Sequence, residues 1–121
     1  MKVRPTANSA VILLCLVFAG RAGAAVPAAP TILTVVPDYA TNEMRLEWQE
    51  NAGDETGYRV ERRTGGGGYA TIDNLAANVQ NYTDTTVVAG AEYTYRIAAH
   101  NADGDAFSDE VYSSIAITWT L

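Results

Sequence analysis

Between residues 43 and 49 the chain reads Glu-Met-Arg-Leu-Glu-Trp-Gln, with polar and apolar residues in strict alternation. Side chains of an extended strand point alternately to its two faces, so this run has one dry face and one wet one. Met44, Leu46 and Trp48 share the dry face; Arg45, Glu47 and Gln49 share the other. The same period recurs in Gly57–Arg63, with Tyr58 and Val60 inward and Arg59 and Glu61 outward. It returns in Tyr93–His100, where Tyr93, Tyr95, Ile97 and Ala99 share a face. Ile32–Val36, Tyr69–Ile72 and Asn81–Val88 add shorter runs, and Val111–Trp119 carries its bulk on Val111, Ile115, Ile117 and Trp119. No stretch after residue 25 repeats apolar residues at helical spacing for a dozen positions, so essentially no helix is expected. Seven short strands at spacings of roughly 10–15 residues predict an antiparallel all-β sandwich.

The breaks between runs agree. Asn51–Thr56, Gly65–Gly68 and Asn101–Asp105 are clusters of Gly, Asn and Asp, which tolerate positive φ and bond their own backbone. Val26–Pro30 is rich in Pro and Ala and reads as an extended lead-in over residues 25–29.

Residues 1–24 have a different character. Lys2 and Arg4 precede an uninterrupted apolar run, Ala10–Gly20, and Ala22-Gly23-Ala24 follows with small residues at the positions a signal peptidase accepts. Eleven apolar residues are too few to span a bilayer, which takes about 20. The segment is therefore expected to be a cleavable signal peptide, cut after Ala24 or Ala25, with the chain secreted to an extracellular or periplasmic space.

Cleavage at Ala24 leaves 97 residues with five Arg, no Lys and fourteen Asp plus Glu, a net charge of −9. It also removes Cys15, the one cysteine, so the fold cannot be stapled by disulfides and must rest on a packed core. One core is what a chain of this length supports. An acidic surface without basic clusters excludes nucleic acid as a partner.

With the runs placed, the chain resembles the fibronectin type III family, particularly its bacterial extracellular members. The resemblance rests on Pro30 before the first strand, Leu46-x-Trp48 in the second, and Glu55-Thr56-Gly57-Tyr58-Arg59-Val60-Glu61-Arg62 in the third. It continues through Tyr82-Thr83-Asp84, Ala89-Gly90-Ala91-Glu92-Tyr93-Thr94-Tyr95-Arg96-Ile97 and Ala99-x-Asn101-x-x-Gly104. It implies an immunoglobulin-like, seven-stranded sandwich over residues 30–121, with Trp48 between the sheets. Tyr93 is then a tyrosine corner, its hydroxyl bonded to backbone a few residues upstream. The family usually has Leu and Pro where Val87 and Ala89 stand here.

Catalysis is not expected. After residue 24 there is one His, His100, on the outward parity of its strand, and three Ser (Ser108, Ser113 and Ser114); a nucleophile, base and orienter need a cleft that this sandwich lacks. No acid is set in an apolar stretch that would raise its pKa for glycoside chemistry. Gly65–Gly68 lacks the Lys-Ser/Thr and helix of a phosphate loop, and Asp103-Gly104-Asp105, with Asp109 and Glu110, does not match a calcium-hand loop. No cofactor or metal is expected.

What remains is a monomeric binding, adhesion or spacer module whose partner is an extracellular protein or cell-wall component. In such a sandwich the loops after strands two, four and six gather at one end. Here they are Glu50–Thr56, Asn74–Asn78 and Asn101–Phe107, which carry acids and no base, so Asp54, Glu55, Asp103 and Asp105 are the candidate contact residues. The alternatives are a carbohydrate-binding accessory module using Tyr69, Phe107 and Tyr112 as platforms, and a calcium-dependent module using the turn acids.

Overall fold

The computed structural model describes residues 25–117; the segment read as a signal peptide, and Trp119, lie outside it. The described chain is all β. Its eight strands are β1 (Thr31–Asp38), β2 (Glu43–Gln49), β3 (Gly57–Thr64), β4 (Ala70–Ala76), β5 (Asn81–Asp84), β6 (Glu92–Asn101), β7 (Gly104–Phe107) and β8 (Val111–Ser114). They form two antiparallel sheets, β1-β2-β5 and β4-β3-β6 with both β7 and β8 against β6.

The dry faces read from the alternation meet between the sheets. Met44, Leu46 and Trp48 of β2 face Tyr58 and Val60 of β3 and Tyr93, Tyr95, Ile97 and Ala99 of β6, all buried. Trp48 lies across the gap against Tyr58, ring centroids 5.8 Å apart at a tilt of 54°. This geometry suits aromatic quadrupoles better than a flat stack. Tyr93 forms the expected corner: its hydroxyl accepts the Val88 N–H at 2.8 Å.

Four runs differ from the sequence reading, each for a local reason. The last strand is not one run from Val111 to Trp119 but two pieces beginning at Gly104. Asn101 pairs with Gly104 and Ala98 with Phe107, whereas Tyr95 pairs with Val111 and Glu92 with Ser114. The register therefore slips by one residue between β7 and β8, a bulge at Ser108–Glu110 that makes eight strands of seven. Ser108 holds that bulge together. Its N–H donates to Ile97 O at 2.8 Å, and its Oγ accepts the Ile97 N–H at 2.9 Å. Beyond Ser114, Ile115 is buried but Ile117 is exposed.

The sixth connection is consequently not a loop over Asn101–Phe107. It is a two-residue turn, Ala102-Asp103, closed by Gly104 at φ 139°. A Cβ on Gly104 would fall 2.8 Å from Val26 Cγ1 of the lead-in, so glycine serves both the turn and the close approach.

β4 runs on to Ala76 rather than stopping at Ile72. It is an exposed edge strand, without the buried alternate positions that make a strand visible in sequence. β5 stops at Asp84 rather than Val88 because the Asp84 side chain turns inward. Its carboxylate accepts the Thr86 N–H (2.9 Å), Thr86 Oγ1–H (2.7 Å), Tyr95 O–H (2.8 Å) and Arg62 Nη1–H (2.7 Å). β1 is longer than expected at both ends and carries a bulge between Thr31 and Thr34, where exposed Ile32 adopts φ 53°.

Candidate functional site

The four acids singled out from the sequence come to the same end of the sandwich but do not form one surface. Glu55 is buried, and its Oε1 accepts the Asn78 N–H at 3.0 Å, tying the β4–β5 connection to the β2–β3 loop. Asp105 lies in β7, opposite His100, not in a loop. Arg59 of β3 clamps it with both terminal nitrogens, at 3.1 and 2.6 Å, and that fork holds the Asp105 carboxyl below the usual range. Asp54 and Asp103 stay exposed, without an ion pair among the described residues. They are bridged through Asn101, whose Oδ1 accepts the Asp103 N–H at 2.8 Å and whose Nδ2 donates to Asp54 O at 3.5 Å. The loops do carry acids and no base, yet the neighbouring sheet supplies one to Asp105.

Nearby, burial and the adjacent Glu55 carboxyl push the Glu50 carboxyl up. Among the described residues no three His, Cys, Asp or Glu side chains converge as metal ligands. His100 is half-buried and sits beside the Thr56 hydroxyl (Nδ1 to Oγ1, 3.3 Å). An open groove of about 220 Å³ lies elsewhere, against Ile32, Thr34, Glu47, Trp48 and Gln49.

A more organised surface covers the outer face of the five-stranded sheet. Odd positions of β6 fill the core, so its even positions face out, and the register puts them in rows. Arg59, Ala98 and Phe107 make one row, Glu61 and Arg96 the next, and Arg63, Thr94 and Tyr112 the third. Arg96 is the centre. Its guanidinium packs against the rings of Tyr69 and Phe107, 4.0 and 4.1 Å from their centroids, and its Nε donates to Glu61 at 2.6 Å.

Around that centre the charges are paired. Arg59 reaches Glu61 at 3.6 Å as well as Asp105, and Arg63 reaches Glu110 at 3.8 Å while covering Tyr69 at 5.2 Å. Glu61, expected to be a solvated outward residue, is buried beneath these arginines. Phe107 and Tyr112 remain 41% and 59% exposed. Tyr69 Oη and Arg63 Nε are shielded from water and have no hydrogen-bond partner.

Tyr69, Phe107 and Tyr112 were each visible in the sequence as isolated aromatics. Their assembly was not, because it depends on the bulge that sets Tyr112 opposite Thr94 and on the end of the Gly65–Gly68 turn that brings Tyr69 to Arg96. The outward parity of Arg59, Glu61 and Arg63 pointed to this face; the ion pairs across strands came only with the register.

The family model of the fibronectin type III domain matches residues 28–114. No curated protein sequence matches the chain. Among solved structures, an Fn3-like protein from Clostridium thermocellum is 32% identical, with a TM-score of 0.63 over 79% of this chain and all of that one. Pectate lyase PelI from Erwinia chrysanthemi, in complex with tetragalacturonic acid, is 19% identical (TM-score 0.63), covering 71% of this chain but 28% of the enzyme. A structure of titin kinase and its flanking domains is 22% identical (TM-score 0.64), covering 76% of this chain and 18% of that one. The latter two share the fold, as one module within larger proteins. The tyrosine corner, the inter-sheet Trp48 and the matched model over nearly the whole described chain have one reading: the chain belongs to the fibronectin type III family, whose domains are generally non-catalytic modules.

Proposed function

We propose that this chain is a secreted, non-catalytic binding module that engages an extracellular protein or cell-wall component through the outer face of its five-stranded sheet. The observation that carries the reading is the pinned Arg96, held by Glu61 and by the rings of Tyr69 and Phe107, with Phe107 and Tyr112 left open beside it. Arginine and aromatic side chains whose rotamers are already fixed lose little entropy on binding, which is what makes such residues anchors of interfaces. Export is supported by the charged, apolar and small-residue order of residues 1–24.

The test is capture from isolated cell walls and extracellular protein, with Phe107→Ser/Tyr112→Ser compared against Asp54→Asn/Asp103→Asn. Capture is expected to fall at least tenfold for the first pair and to stay unchanged for the second. The reverse pattern places the contact at the acidic loop end. Mass spectrometry of the exported protein is expected to begin at Ala25 or Val26; an intact Met1 outside the cytoplasm contradicts the export reading.

A further inference from the structure

We infer that the ligand of this sheet face is an uncharged polysaccharide chain, which rests on the reading of that face as the contact surface. Its charge favours an uncharged ligand. Three of the five arginines beyond residue 24, Arg59, Arg63 and Arg96, stand on it, and each is matched by a carboxylate: Asp105, Glu110 and Glu61. These pairs cancel, and with exposed Glu92, also an outward position of β6, the face is close to neutral on a chain that is otherwise strongly acidic. A polyanion or a second copy of this chain is repelled by the whole molecule. A cationic partner is drawn to the unpaired acids elsewhere, such as Asp54 and Asp103, rather than to a face where three of the carboxylates are already paired with arginine.

The chemistry of the pairs favours hydroxyl groups. A fixed arginine–carboxylate pair presents spare donors beside spare acceptors. A hydroxyl group uses both at once without breaking the pair, whereas an ionic ligand gains only by displacing one member. The row pattern leaves these pairs flanked by Phe107 and Tyr112, roughly 13 Å apart by strand rise, four residue steps along β6. Flat rings at that spacing accept the C–H faces of sugars along a short oligosaccharide, while the pairs between them meet its hydroxyls.

The experiment is affinity electrophoresis and pull-down of the purified chain with probes of known composition. Insoluble chitin and cellulose and soluble mannan and xylan are the neutral arms, and polygalacturonate is the charged one. At least one neutral polymer is expected to retain the chain, with retention unchanged between 0.05 and 0.5 M salt, weakened about tenfold or more by Phe107→Ala or Tyr112→Ala, and preserved by Tyr112→Phe. Circular dichroism and melting temperature, unchanged in these surface variants, separate lost binding from lost folding. Retention by no neutral polymer, or only by polygalacturonate with steep salt dependence, overturns the inference. So does equal retention of the two alanine variants. Capture of a protein that is lost in Phe107→Ser/Tyr112→Ser, with no polymer retained, also overturns it while leaving the proposed contact face standing.

Discussion

Two side chains carry more of the fold than their size indicates, and both are polar groups inside the sandwich. The Tyr93 hydroxyl accepts the Val88 N–H at 2.8 Å and so fixes the crossing into β6. Replacing it with Phe leaves that N–H without its partner, and Tyr93→Phe is expected to cost about 1–2 kcal/mol in urea melts. Asp84 is fully buried, held by four donors from Thr86, Tyr95 and Arg62. Burial alone raises its pKa; the donors outweigh burial and hold the carboxyl below its ordinary value. Because the folded pKa is depressed, the stability this group contributes is present above the unfolded pKa, about 3.9, and is lost as pH falls through the folded one. Asp84→Asn removes the charge that Arg62 faces and is expected to cost about 3–5 kcal/mol at pH 7. It should also flatten the fall in melting temperature below pH 4. A variant that melts like the parent across that range contradicts the role given to Asp84.

Among the elements, β2, β3 and β6 were legible in the sequence because each has one face in the core, which writes a period of two into the chain. β4 and β8 were placed only in part and β7 was missed, since an edge strand and a bulged one lack that signature. Ser108 shows how the bulge is sustained. Where the slipped register withholds a carbonyl from the Ile97 N–H, the Ser108 Oγ takes its place at 2.9 Å. Ser108→Ala therefore strands a buried donor, and a loss of about 1–3 kcal/mol is expected. Amide exchange at Ile97 should accelerate with it; unchanged exchange means another acceptor closes the gap.

At the scale of the whole molecule, the sequence located the acids but not their partners. Charge counting made the loop end a uniformly negative surface. Long-range pairing turned Asp105 toward Arg59 and Glu55 toward Asn78, and left Asp54 and Asp103 exposed. The same pairing gathered three arginines and three dispersed aromatics onto one sheet face. Local pattern cannot foretell that step, because the residues involved lie on four strands and one connection. The central claim is that this face, not the loop end, meets the partner. Amide shift mapping of the isotope-labelled chain, titrated with solubilised cell-wall fragments, tests it most directly. Perturbed amides are expected at Arg59, Glu61, Thr94, Arg96, Phe107 and Tyr112, with residues 51–54 and 102–103 unmoved; perturbation confined to those two loops, with the sheet face silent, contradicts it.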